Sequence, residues 1–308
     1  MSSDKQVIQQ DYEVSCLDLG EEKVLYISLP FKGCTVIPKC LFCGIRDAAN
    51  KALCIDDEFG AEVLGKTDEF LNQYNPDSVV LYTGGNILRP AEMYQETIAQ
   101  DIPDLISSHS TCNAYELEVR PDDIVQLQAI IIKIKANLGQ KKLRVRTGIE
   151  YYDDELLERH RKGVNIAQIQ EAVNLLNAEN IEWNGYALLG GLDMTKEEAR
   201  EAAIKTGKFM LDNNAFRISI NGMFVTNKTH QSFGERIYIP DYSDLIYVLT
   251  ELCKYRDTIK NKTIIKVGFE EEDIKNVFKL PYSDQENVEN KLREFNKTQN
   301  IKDLPGAP

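Results

Sequence analysis

The chain alternates short apolar runs with longer stretches in which apolar residues recur every three or four positions. Residues 23–29 (Lys-Val-Leu-Tyr-Ile-Ser-Leu) have the composition of a strand, and residues 58–74 follow the helical period. The pairing then repeats. Residues 77–82 read as a buried strand and 91–107 as a helix. Residues 114–119 are the next strand, and 122–138 form a helix with Ile124, Leu127, Ile131, Ile134 and Leu138 on one stripe. A strand over 143–147 precedes a helix that Asn165 can cap, with Ile166, Ile169, Val173 and Leu176 on a shared face. After a strand at 181–189, Thr195 and Glu198 fit a capping box for a helix running to about Asn213. Residues 216–221 supply the sixth strand and 243–255 the helix after it.

Strand–helix units in series predict an α/β fold with a parallel sheet and right-handed crossovers. Six such units, rather than eight, predict an open, partial (β/α)6 barrel. The expected division is an N-terminal segment (1–22), a core (23–258) and a C-terminal α/β extension (259–308). The extension holds a strand at 263–267 and a charged helix at 283–296, while 1–12 and 299–308 read as loose ends.

Composition changes the picture in two places. No apolar run approaches the roughly 20 residues that span a bilayer, and Met-Ser-Ser-Asp-Lys-Gln at the start is no signal peptide, so a cytoplasmic protein is expected. A net charge of −13 argues against a globally basic nucleic-acid binder. Lys133, Lys135, Lys141, Lys142, Arg144 and Arg146 make the densest basic stretch, readable as a local patch or as a solvated helix end and loop.

The chemistry concentrates in Gly33-Cys-Thr-Val-Ile-Pro-Lys-Cys-Leu-Phe-Cys-Gly44. Cys34, Cys40 and Cys43 put three soft thiolates on one loop leaving the carboxyl end of a strand. Three such ligands can hold an iron–sulfur cluster and leave one iron of a four-iron cluster open to a substrate or cofactor. A zinc knuckle is the other reading, its fourth ligand being Cys54 or a distant His. Cys16, Cys54, Cys112 and Cys253 are isolated and read as ordinary thiols. Further motifs sit at other strand ends: Thr83-Gly84-Gly85-Asn86, Glu116-Leu-Glu118-Val-Arg120-Pro121-Asp122, Arg144-Val-Arg146-Thr-Gly148-Ile-Glu150 with Lys162 twelve residues on, and Tyr186-Ala-Leu-Leu189-Gly-Gly. Each has a plain alternative as a tight turn, an ion pair, a helix-end charge or an interior strand.

In order and placement these motifs resemble the radical S-adenosylmethionine (SAM) superfamily, whose cysteine loop ends in Cys-x-aromatic-Cys with Phe42 as the aromatic here. The C-x5-C-x2-C spacing departs from the commoner first gap of three residues. The Glu-x-Arg-Pro and Gly-x-Glu signatures look closest to the elongator-catalytic-subunit-like branch. The resemblance implies a [4Fe-4S] cluster on Cys34, Cys40 and Cys43, with SAM chelating the open iron. It implies reductive cleavage of SAM to a 5′-deoxyadenosyl radical that abstracts hydrogen from a substrate, in an oxidoreductase or transferase reaction. Gly84 and Gly85 would hold the SAM amino group, with Asn86 in place of the usual acid. Glu118 would face the ribose or amino group, Glu150 the ribose, Lys162 the carboxylate, with Arg161 as its alternative, and Tyr186 to Leu189 would pack on the adenine. A small or carrier-presented substrate is expected, with a flavodoxin or ferredoxin as electron donor. A tRNA substrate, as in archaeosine synthesis, is disfavoured by the acidic charge. An iron–sulfur electron carrier is the reading from another class, and it leaves the glycine turn, Glu118 and Glu150 without a purpose.

Overall fold

The computed structural model describes residues 13–18, 22–29, 40–41, 57–82, 88, 100–223, 231–268 and 285–304. Within them the chain forms an eight-stranded sheet in strict chain order. Its strands are β1 (Glu13–Asp18), β2 (Lys23–Ser28), β3 (Ser78–Tyr82), β4 (Ala114–Glu118), β5 (Lys142–Glu150), β6 (Glu182–Leu189), β8 (Arg217–Gly222) and β10 (Ile264–Val267). From β2 to β10 every pairing is parallel, while β1 runs antiparallel along β2. The six expected core strands are all present. The strand of the C-terminal extension pairs with β8 as a seventh parallel strand, and the N-terminal segment contributes β1.

Between strands lie α1 (Asp57–Tyr74), α2 (Ile102–Ser108), α3 (Pro121–Gln126), α4 (Gln128–Asn137), α5 (Asp154–Arg159), α6 (Ile166–Ala178), α7 (Lys196–Asp212) and α8 (Tyr242–Thr258), with α9 (Gln285–Thr298) after β10. The expected capping boxes form at Asn165 with Gln168 and at Thr195 with Glu198. Asp241 and Asp244 make a third at α8. The helix expected over 122–138 is two helices. Leu127 leaves helical geometry (φ −110°, ψ 22°), and the halves pack on different partners, α3 on α6 and α4 on α2. Of the helix expected at 91–107, α2 accounts for Ile102–Ser108, and 91–99 lie outside the described residues. A two-stranded antiparallel ribbon of β7 (Gly191–Leu192) and β9 (Ile237–Tyr238) follows the exit of β6.

Leu25, Ile27, Val79, Leu81, Tyr115, Leu117, Val145 and Trp183 alternate along their strands onto the face turned to the helices and form the main core. The opposite face turns inward and is polar. Glu22, at the start of β2, accepts from Arg144 of β5 at 2.6 Å and pairs with Arg217 of β8 at 3.7 Å. In a flat sheet those strands would lie about 14 and 24 Å from β2, at about 4.8 Å per step. The sheet therefore curls into an open barrel, and Glu22 closes its amino end. Among the described residues no helix is long and apolar enough to cross a membrane.

Candidate active site

The inner face carries its charge in layers set by the parallel register, with Glu116 beside Arg144 and Glu118 beside Arg146. Arg146 Nε donates to Glu116 Oε1, which also accepts from Asn184 Nδ2 at 2.9 Å. Burial alone would raise the Glu116 carboxyl, but Arg146, Arg217 and Arg144 outweigh it and hold the group at about 2. Glu116 is thus an ionised anchor of the barrel interior.

Glu118 lies one pleat nearer the carboxyl ends of the strands and answers to different neighbours. Burial pushes its carboxyl up to about 7, offset only in part by Arg146 and Lys162, with Glu150 adding to the rise. Because the folded value lies above the ordinary 4.5, the folded state holds the extra proton between those values, and stability falls as pH rises from about 4.5 to 7. Glu118→Gln is therefore expected to gain on the native protein over that window, by about 1–3 kcal/mol at pH 7.5. Thermal melts of both proteins from pH 5 to 7.5 read the gap, and a constant gap would show that Glu118 titrates like a free carboxyl.

Glu150 owes its position to two irregularities. The β5–β6 register shifts between Gly148 and Glu150, a bulge that re-aims the side chain, and Glu150 takes φ 61°, a left-handed conformation that few side chains adopt. Its carboxylate folds back over Gly148, where a Cβ would stand 2.3 Å from Glu150 Oε1 and 2.6 Å from Lys162 Nζ. Only glycine leaves that space open. Glu150 Oε1 accepts from Lys162 Nζ at 2.9 Å, and both side chains are buried.

Lys162 is delivered by α5, a helix too short for its period to show in the sequence, whose Asp153 cap accepts from the Glu155 and Leu156 backbone N–H groups. The turn after it is fixed by His160, which is fully buried. His160 Nδ1 faces the Leu156 carbonyl at 2.8 Å and Nε2 accepts from the Leu192 N–H at 2.8 Å, while burial lowers its pKa and keeps it neutral. This turn receives the cysteine segment. Leu41 N–H donates to the His160 carbonyl at 3.0 Å, and Cys40 Sγ lies 3.9 Å from the Lys162 carbonyl. Arg120 closes the group, donating from Nη2 to the same carbonyl at 2.9 Å with Nη1 4.0 Å from Cys40 Sγ.

Cys40, Glu118, Glu150 and Lys162 are thus brought together at the carboxyl ends of the strands. Tyr186 joins them on the inner face, level with Gly148 in the register. Leu189 does not. It shares the outer face with Gly185, whose missing Cβ would run into Met210 of α7, and by the same alternation Leu188 is the residue that faces inward. Cys34, Phe42, Cys43, Gly84, Gly85 and Asn86 lie outside the described residues. Sequence reasoning passed over His160 and the amides of Asn184 and Asn221. Asn184 Oδ1 and both amide atoms of Asn221 are buried without a partner among the described residues. Their signal was the alternation Ile218-Ser219-Ile220-Asn221, which marks an inner face lined with polar groups.

No protein-family model matches the sequence, and no curated protein matches it either. Solved structures do. The archaeal Methanocaldococcus infernus Elp3, with an N-terminal deletion, superposes with a TM-score of 0.53 at 17% identity, over 76% of this chain and 58% of that one. Methylornithine synthase (PylB) gives 0.53 at 14% identity, over 79% and 64%. The chain shares the fold of these two structures. Coproporphyrinogen III oxidase (HemN) from Escherichia coli, described as a radical SAM enzyme, is also similar, with a TM-score of 0.47 at 15% identity over 76% of this chain and 52% of that one. The chain thus spans about half to two-thirds of the length of these structures. In this fold the strand ends that carry Glu118 and Glu150 are also where Cys40 enters, so the three fall at one mouth.

Proposed function

We propose that the chain is a radical SAM enzyme that acts on a small or carrier-presented substrate. The observation that carries this reading is the meeting of Cys40 with the turn that holds Lys162, paired in turn with Glu150 over Gly148. A strained, bulged carboxylate beside a buried ammonium is an expensive arrangement that an electron carrier would have no use for. The zinc reading loses a candidate, since both ring nitrogens of His160 are engaged and cannot supply a fourth ligand.

The residues fit a [4Fe-4S] cluster and SAM by their chemistry. Cys34, Cys40 and Cys43 would be the thiolate ligands, with Phe42 beside them. Gly84, Gly85 and Asn86 would approach the SAM amino group, Glu118 and Glu150 its amino or ribose groups, and Lys162 its carboxylate, while Tyr186 would face the adenine. When bound, the reduced cluster would supply the electron that splits SAM into methionine and a 5′-deoxyadenosyl radical, with a flavodoxin or ferredoxin as its source. The chain's own part is orientation and charge. Gly148 makes room for the Glu150 carboxylate, and the His160 hydrogen bonds hold the Lys162 turn in place.

A tRNA substrate finds no support in the basic stretch. Arg144 and Arg146 point into the barrel, Lys141 donates to the His109 carbonyl, Lys135 to the Glu179 carbonyl, Lys142 to Glu182 and Lys133 to Gln100. Only Lys133 and Lys142 are exposed, so the stretch offers two open cations to a phosphate backbone instead of six. The testing experiment is anaerobic reconstitution with iron and sulfide, then incubation with SAM and dithionite. The expected result is 5′-deoxyadenosine formed only by reduced, iron-loaded protein. A stably bound zinc atom, or full iron loading with no 5′-deoxyadenosine, would overturn the proposal.

A further inference from the structure

We infer that Arg120 is a positioning residue that sets the reduction potential of the cluster. The inference rests on the functional reading above. Arg120 stands at the N-cap of α3, where Pro121 begins the helix and the Asp123 and Ile124 N–H groups donate to the Arg120 carbonyl. Its guanidinium is held at three points. Nε donates to Asp122 Oδ1 at 3.0 Å, Nη2 to the Lys162 carbonyl at 2.9 Å, and Nη1 stands 4.0 Å from Cys40 Sγ. The side chains of Arg120 and Asp122 are only 13% and 12% exposed, so the pair is little screened by water. Other charges face the same mouth from β4, β5 and the turn after α5: Glu118, Glu150 and Lys162.

A cluster on three thiolates carries one negative charge when oxidised and two after it takes one electron. A fixed cation with an N–H aimed at a ligand sulfur favours the more negative state, so Arg120 raises the potential and Asp122 tempers it. The electron comes from an external one-electron reductant, dithionite in the test below, and no proton moves.

The test is a potentiometric titration of the reconstituted protein, followed by the electron paramagnetic resonance signal of the reduced cluster, with iron content measured alongside. Arg120→Gln is expected to shift the reduction equilibrium about tenfold toward the oxidised cluster, about 59 mV for one electron. Arg120→Lys, which keeps the charge and loses the fork, should fall between. Asp122→Asn should shift the equilibrium the opposite way, a reversal of sign that a merely structural role would not produce. An unchanged potential in an iron-loaded Arg120→Gln protein overturns the inference while leaving the functional reading intact. If Arg120→Gln cannot take up iron, an unchanged or lowered potential in Asp122→Asn overturns it instead. Native protein that takes up no cluster overturns both.

Discussion

Joint replacement of Cys34, Cys40 and Cys43 by alanine is expected to abolish iron binding on anaerobic reconstitution, taking the protein from about four irons to none. Of these, Cys40 is at the mouth of the barrel, against the Lys162 carbonyl. The other described cysteines belong elsewhere. Burial pushes the Cys112 and Cys253 thiols up to about 11, far from the thiolate a metal requires, and Cys16 lies on the outer strand β1. Alanine at Cys16, Cys54, Cys112 and Cys253 together should therefore leave iron content near the native value. Iron and sulfide analysis of both proteins checks this. Four irons retained by the loop variant would remove the basis of the functional reading.

The second large effect concerns the Glu150–Lys162 pair. With both side chains buried, Lys162→Met strands an uncompensated carboxylate and is expected to cost about 3–5 kcal/mol. Adding Glu150→Gln should restore most of that loss, because a neutral amide next to methionine leaves no unpaired charge. SAM affinity should follow another pattern. Either single variant and the double variant should bind SAM about ten- to a hundredfold more weakly, the worth of one buried charge-assisted hydrogen bond. Chemical denaturation and equilibrium SAM binding on the same four proteins separate the two effects. Recovery of SAM affinity together with stability in the double variant would mean the pair serves the fold alone.

The elements were legible where local rules decided them. Capping residues at Asn165 and Thr195 fixed helix starts to the residue, and the run Ser-Val-Val-Leu-Tyr could only be a strand with both faces covered. Legibility failed where a side chain's meaning depended on which face of the sheet it took. Arg144 and Arg146 look like a basic surface patch beside Lys141 and Lys142, yet their alternation with Val145 turns both into the barrel. Leu188 and Leu189 are chemically identical, so nothing in the sequence says which points inward. A six-residue α5 offers too few turns for a period, although Asp153 was there as a cap. Arg120 has an acid two residues away, which reads as a complete ion pair. Its approach to Cys40, eighty residues distant, exists only in the folded chain.

Glu22 also bears on how the molecule assembles. Because spatial neighbours in the sheet are chain neighbours, each new strand can dock on the one before it by closing a modest loop. The hydrogen bond from Arg144 to Glu22 bridges 122 residues and cannot form until the intervening strands are in place and curved. That bond needs only β2 to β5, whereas the contact of Glu22 with Arg217 at 3.7 Å has to wait for β8 to dock. The carboxylate thus works as a clasp fastened in two steps, and the curvature that aligns Cys40, Glu118 and Glu150 at one mouth is secured once β8 is in place.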